Sequence, residues 1–418
     1  MKETIQQLAK QYLPEMVAAR RHFHQNPELA NEEFETQRYV QAFLTNLGIE
    51  NFPLAGTGVV GLIHGGHPGK TVLLRADMDA LPVLEAVDIP YRSSVEGLMH
   101  ACGHDGHTAG LMGAAMILND VKEHLHGTVK LMFQPAEETT GGAQPMIDAG
   151  LLENPHVDAA FGLHLGGHLE HGKVQVRYGA MFGAPDEFEV TITGRGGHAA
   201  SPEQTIDPIS VAVQFIQNAQ FILTRRIDPV KPALVSFTTI HAGEGLNVIP
   251  QTCTVGGTIR TLYPETRKTV SALLEATLES LCTVNGATYD FNYMPSYPPL
   301  INDDAMTRLA HQSLINYFGE DTVLEQEFPS LGAEDFAYLA LAVPSSYYYV
   351  GIYENGKPEP IHHHPEFAWN DDVLETTSAS LATIAIDYLN QQDNFGCLFY
   401  WFDVSMIRGV EHHGIIYL

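Results

Sequence analysis

Apolar runs that end in ionisable residues recur along the first part of the chain. KTVLLRADMDALP runs to Asp77 and Asp79, GTVKLMFQPAEE to Glu137 and Glu138, and VDAAFGLHLGG reaches His164. Each reads as a buried strand, bounded by turn residues and rich in Val, Leu and Phe. Helical patterns lie around them, in MKETIQQLAKQYLPEMVAARRHFHQNPEL at the start and in TAGLMGAAMILNDVKEHL. Strands alternating with helices predict an α/β fold with a mostly parallel sheet. In such sheets functional residues collect beyond the carboxyl ends of the strands, where these acids and His164 fall.

From about Asp186 the pattern changes. DEFEVTITGRGGHAA alternates with period two, and DPISVAVQFIQNAQFILTRR follows as a helix. Two further strands, PALVSFTTIHAG and TCTVGGTIRTL, precede a helix near PETRKTVSALLEATLESL and a last strand, ATYDFNYMPSY. That succession is β-α-β-β-α-β, the ferredoxin-like arrangement. After Pro298 the chain returns to helix and strand through AEDFAYLALAV and SSYYYVGIY. The pattern predicts a large domain made of residues 1–185 and 298–392, interrupted by a smaller one over 186–297. Residues 393–418 form an aromatic-rich tail with Cys397 and a histidine pair, and follow neither pattern.

Composition narrows the picture. The 418 residues exceed the usual span of one hydrophobic core, consistent with two domains. Fifty acidic residues against 22 basic ones give a net charge of −28, a balance that disfavours nucleic acid and anionic lipid. The start lacks a signal-peptide pattern and no apolar run is long enough for a membrane span. The four cysteines, Cys102, Cys253, Cys282 and Cys397, are scattered and suggest no disulfide framework. The expected location is the cytoplasm.

The stretch HACGHDGHTAG, residues 100–110, gathers three histidines, a cysteine and an aspartate. Cys102 and His104 cannot share one face of a helix, so both are predicted on a loop, with Gly103 and Gly106 letting it turn. Burying adjacent carboxylates such as Glu137 and Glu138 is costly unless a cation or proton intervenes. One can ligate a metal while the other shuttles a proton. Taken singly, an EE pair is usually a solvated turn, His164 a core residue, and His362, His363 and His364 in PIHHHPEF a solvated loop. Together they supply a thiolate, several imidazoles and a carboxylate. That mixture suits Zn²⁺, best as two ions sharing a bridging ligand, and Co²⁺, Mn²⁺ or Ni²⁺ also suit it.

RADMDALP, HACGHDGHTAG, FQPAEET, LHL, GRGGHAASP, NVIP, GTIRTL, AEDFAY and HHPEF occur in this order. Over roughly residues 10 to 390 the chain resembles the amidohydrolase branch of the zinc aminoacylase/carboxypeptidase family. That branch includes hippurate hydrolases, bacterial N-acyl-amino-acid deacylases and auxin-conjugate hydrolases. The resemblance implies a catalytic domain holding two divalent metal ions, with an inserted lid and dimerisation domain. The implied ligands are Cys102, His104, Glu138, His164 and a downstream histidine, His363 when counted back from Pro365, with His362 as the alternative. Glu137 matches the catalytic base. His198 matches a lid histidine that reaches the substrate carbonyl, and Asn247 and Arg260 match lid positions near the substrate carboxylate. Ser345, after Pro344, stands where the resemblance leads us to expect glycine.

The implied activity is metal-dependent hydrolysis of N-acyl amino acids, with N-acetyl, N-benzoyl or similar acyl groups, by a homo-dimer or homo-tetramer. A metallo-dipeptidase or carboxypeptidase, or an N-acetyl-diaminopimelate deacetylase, are alternatives within the family. Two rivals lie outside it. Cys102 as a nucleophile would make a cysteine hydrolase, but leaves Glu137, Glu138 and His164 idle. A non-catalytic metal-binding protein would close its site with four ligands, which the spare Glu137 argues against.

Overall fold

The structure, a computed structural model, describes residues 1–391; the tail expected over 393–418 lies outside the described residues. The chain opens with helices α1 (Lys2–Gln25) and α2 (Phe34–Asn46), then strands β1 (Glu50–Leu54), β2 (Gly58–His64) and β3 (His67–Asp77). Next come α3 (His104–Asp120), β4 (His126–Gln134), α4 (Ala143–Asp148), β5 (Ala159–Glu170), β6 (Val174–Val176) and β7 (Gly179–Phe182). A second stretch holds β8 (Ala184–Thr193), β9 (Gly197–His198), α5 (Pro208–Arg225), β10 (Ala233–Ala242) and β11 (Val248–Ile249). It ends with β12 (Thr252–Thr261), α6 (Pro264–Asn285) and β13 (Thr288–Met294). The chain closes with β14 (Leu300–Asn302), α7 (Asp304–Phe318), β15 (Val323–Glu325), α8 (Ala337–Ala342), β16 (Ser345–Tyr353) and α9 (Val373–Asn390).

Eight strands form one sheet in the order β1-β2-β4-β3-β5-β16-β6-β15. Its centre, β4-β3-β5-β16, is parallel, and antiparallel partners β2 and β6 flank it. Both faces are covered, so the central strands read as unbroken apolar runs. Val72 and Leu74 pack with α1, α3 and α9, while Leu73 between them packs on the opposite side with Met146, Phe336 and Leu339. Every residue of α3 from His104 to Leu118 is buried, as expected for a helix enclosed on all sides. Gly113 lets it be: a Cβ there would meet Met16 Sδ at 2.0 Å.

The smaller sheet, β10-β12-β8-β13, is antiparallel. Phe188, Val190 and Ile192 of β8 point inward against Phe215 of α5 and Leu274 of α6. Strands and helices follow the β-α-β-β-α-β succession, and β9 and β11 add a two-stranded ribbon. On either side of this unit β7 pairs with β14, Phe182 opposite Leu300. Ser345 is buried at the start of β16, where its hydroxyl donates to the Val343 carbonyl at 2.7 Å. Among the described residues no helix is long and apolar enough to cross a membrane.

Candidate metal centre

The strand ends converge as the sequence predicts, with two corrections. His164 does not close its strand: β5 runs on to Glu170. Its pairing with β3 stops at Arg75 opposite Gly162, so His164 stands past the end of that ladder, supported by β16 on the other side. Cys102 lies on a loop, but His104 is the first residue of α3. Gly103 between them adopts φ 97°, a left-handed turn that aims both side chains at one point. Gly106 is helical, and its missing side chain makes room for the Trp369 ring, 2.6 Å from where a Cβ would sit.

Cys102, His104 and His164 each present a ligand atom within 4.8 Å of the others, and so do Cys102, Glu138 and His363. His104, Glu137 and Glu138 form a third such group. Cys102 Sγ lies 3.4 Å from His164 Nε2, and His363 Nε2 3.1 Å from Glu138 Oε1. His104 donates from Nδ1 to the Asp79 carbonyl at 3.0 Å, which leaves Nε2 facing the cluster. That nitrogen and Glu138 Oε1 are both buried without a hydrogen bond, despite the closeness of His363. Two orphaned buried atoms facing the same spot are costly unless a cation lies between them. A thiol, imidazoles and a carboxylate at this spacing fit Zn²⁺ or a similar divalent ion.

His107 and His362 are committed to other partners. His107 Nε2 accepts the Leu165 N–H at 3.0 Å, and its Nδ1 lies 2.6 Å from Asp77. His362 Nε2 faces the Leu165 carbonyl at 2.8 Å. His100 is buried outside every such group, and burial pushes its pKa down to about 3.

The electrostatics follow from burial and crowding. Burial and the Glu138 carboxylate push the Cys102 thiol well up, a direction that a coordinated cation reverses. Burial pushes the Glu137 carboxyl up as well, reinforced by Glu334, Glu138 and Asp335. Burial also disfavours a charged Glu138, but His363 and His104 outweigh it and hold its pKa down. The two adjacent acids are thus separated in basicity by their neighbours, the condition for distinct roles.

The turn carrying them is held by three distant side chains. Ala136 has φ 58°, uncommon for a residue with a Cβ. Its N–H donates to Glu33 Oε1 at 2.9 Å, and Thr57 donates to Glu33 Oε2 at 2.5 Å. The Glu138 N–H donates to Asp79 Oδ2 at 2.9 Å, and the Tyr297 hydroxyl donates to the Glu137 carbonyl at 2.7 Å.

Glu334 and Asp335, within AEDFAY, form a buried acidic group with Glu137 that the sequence reading does not predict. Arg75, also buried, donates to Asp77 at 2.6 Å, Glu334 at 2.9 Å and Asp335 at 2.8 Å. The signal was present: a second adjacent acid pair in an apolar stretch, and an arginine inside the apolar run VLLRAD.

A cavity of about 370 Å³ opens onto the cluster, lined by Cys102, Glu137, Glu138 and His164 together with Phe182 and Tyr349. His198, Asn247 and Arg260 do not line it. His198 lies on the small ribbon opposite Val248, and Asn247 directly precedes β11, its carbonyl accepting from the Ala199 N–H at 3.0 Å. Arg260 lies on β12 opposite Leu234 and Pro185.

Cation donors beside a spare carboxylate, at the mouth of a cavity of substrate size, make this the fold and site of a metal-binding hydrolase. Residues 73–387 match the model of peptidase family M20/M25/M40. The chain is 40% identical over 383 residues to thermostable carboxypeptidase 2 of Saccharolobus solfataricus, covering 90% of this chain and 96% of that one. It is 40% identical over 380 residues to IAA-amino acid hydrolase ILR1-like 4 of Arabidopsis thaliana, covering 90% and 86%. A solved dinuclear metal-binding peptidase of the M20 family from Bacillus subtilis superposes with TM-score 0.80 at 34% identity, covering 91% of this chain and 99% of that one. The chain belongs to peptidase family M20/M25/M40. The dinuclear relative and the overlapping donor groups support two divalent ions here.

Proposed function

We propose that this protein hydrolyses the amide bond of N-acyl amino acids, releasing a carboxylic acid and a free amino acid. The observation that carries the reading is Glu137: a buried carboxyl at the cavity wall, beside the ligand groups formed by Cys102, His104, His164, Glu138 and His363. Divalent ions, Zn²⁺ foremost and Mn²⁺, Co²⁺ or Ni²⁺ as alternatives, supply Lewis acidity toward the scissile carbonyl and acidify water. Glu137, with a raised pKa, takes a proton from the attacking water and delivers it to the leaving amine nitrogen as the C–N bond breaks.

His198 donates to the oxyanion, and Asn247 with Arg260 receives the amino acid's carboxylate. These three sit on the smaller unit, residues 186–297, outside the cavity. That unit therefore acts as a lid, or a second copy in a dimer or tetramer supplies them. The cytoplasm is the proposed location. Carboxypeptidase action is the second reading, favoured by the relative of that name; it cuts the same kind of bond, an amide to an amino acid with a free carboxylate.

The test is a panel from N-acetyl to N-benzoyl amino acids and dipeptides, assayed with EDTA and with Zn²⁺, Mn²⁺ or Co²⁺ added back. Chelator-sensitive release of amino acid is expected, and Glu137→Gln should abolish it with metal content intact. Turnover that survives EDTA would return Cys102 to the role of nucleophile.

A further inference from the structure

The last residues of the smaller unit lead directly to the base. Ser296 is gripped through both backbone groups by that unit: its N–H donates to Asp186 Oδ1 at 3.0 Å, and its carbonyl accepts from Arg267 Nη2 at 2.8 Å. Asp186 is fully buried at the start of β8, where Arg267 Nε donates to it at 2.8 Å and the Tyr293 hydroxyl also donates. Both connections between the smaller and larger units are thus tied in one knot. The next residue, Tyr297, leaves the knot and donates to the Glu137 carbonyl at 2.7 Å.

The link is stiff. Pro298 and Pro299 follow Tyr297, fixing φ at both and confining Tyr297 to extended backbone. The Tyr297 ring lies against Gly141, at the far end of the base-bearing turn, where a Cβ would come within 2.9 Å of it. It also makes a T-shaped contact with the Tyr338 ring, with ring centroids 6.0 Å apart. The ring and hydroxyl therefore touch both ends of the turn from Ala136 to Gly141. A shift of the smaller unit must move Tyr297 with it or break this contact.

We propose that Tyr297 is a positioning residue for Glu137, through which the smaller unit's placement sets the base. This rests on Glu137 being the base. The variant Tyr297→Phe removes only the hydroxyl and keeps the ring packing. Hydrolysis of N-benzoylglycine and N-acetylmethionine by the metal-loaded full chain should show kcat reduced about ten-fold, equivalent to about 1.4 kcal/mol. KM should stay within about two-fold, because the hydroxyl touches no substrate. Metal content should be unchanged.

Amide hydrogen exchange supplies a readout that needs no substrate. Segment 134–142 should exchange faster in Tyr297→Phe and, by a smaller factor, in Asp186→Asn, which loosens the knot one residue away. Glu137→Gln runs alongside in the same assays. Loss of turnover in Glu137→Gln with wild-type kcat in Tyr297→Phe overturns the positioning role alone. Unchanged exchange of segment 134–142 in both Tyr297→Phe and Asp186→Asn overturns it independently of any activity. Retained turnover in Glu137→Gln overturns the base assignment on which it rests.

Discussion

His363 Nε2 sits 3.1 Å from Glu138 Oε1, while its neighbour His362 faces the Leu165 carbonyl instead. The division is made by the backbone: His363 has φ 63°, and its N–H donates to the Ala101 carbonyl at 2.8 Å. His363→Ala should therefore weaken divalent-metal binding by more than the roughly 10–100-fold typical of losing an outer-shell partner. His362→Ala should weaken it less. Metal content after dialysis against graded chelator checks the order, and the reverse order would move the ligand to His362.

Glu33 predicts a stability effect from a residue that does not line the cavity. Glu33→Ala leaves the Ala136 N–H and the Thr57 hydroxyl buried without their acceptor. Each orphaned group costs about 1–3 kcal/mol. Glu33→Gln keeps one acceptor oxygen and should lose less. Urea denaturation of the two variants measures the difference, and equal losses would mean that the carboxylate does not hold the turn.

His24 makes a pH-dependent contribution. Its ring nitrogens face Asp105 Oδ2 at 2.9 Å and Glu85 Oε1 at 3.1 Å, so only the charged imidazolium donates to both. Burial lowers its pKa, but the hydrogen bonds to Asp105 and Glu85 outweigh that and raise it overall. A folded-state pKa above the unfolded value stabilises fully below the unfolded pKa, and the gain is lost as pH rises through the folded one. The Tm gap between wild type and His24→Gln should thus be widest below the unfolded histidine pKa of about 6.5 and narrow as pH rises above it. Thermal scans on either side of that pKa decide it; a widening gap would contradict the charged pairing.

Arg75 is the cation of the buried acidic group. Burial raises Asp335 to about 7 even with Arg75 beside it. Arg75→Met strands Asp77, Glu334 and Asp335 together, a loss of about 3–5 kcal/mol by analogy with other broken buried pairs. Arg75→Lys should recover little, because one ammonium cannot reproduce the fork that reaches Gln134, Asp77, Glu334 and Asp335. Circular dichroism melts of the two variants test this, and a lysine variant as stable as wild type would refute the geometric argument.

These residues also mark where the sequence was legible. The strands ending near Asp77 and Glu137 could be read because two-sided burial leaves continuous apolar runs. The smaller sheet could be read because DEFEVTIT alternates cleanly against one covered face. The helical start at His104 could not, since it depends on the left-handed backbone of Gly103, nor could the extension of β5, which depends on β16 pairing far along the chain. The roles of Glu33, Asp186, Arg267 and Tyr297 are hidden in the sequence for the same reason: their partners are distant along the chain, and no local pattern announces them.

The pairing of β7 with β14 has a consequence for how the chain tolerates change. Because Phe182 and Leu300 are already held opposite each other, the larger body treats everything between them as a hairpin loop with fixed ends. Closing such a loop grows more costly by only about 0.6 kcal/mol per doubling of its length. The smaller unit can therefore lengthen or shrink away from its two junctions with little penalty to the folding of the sheet beneath the donor cluster.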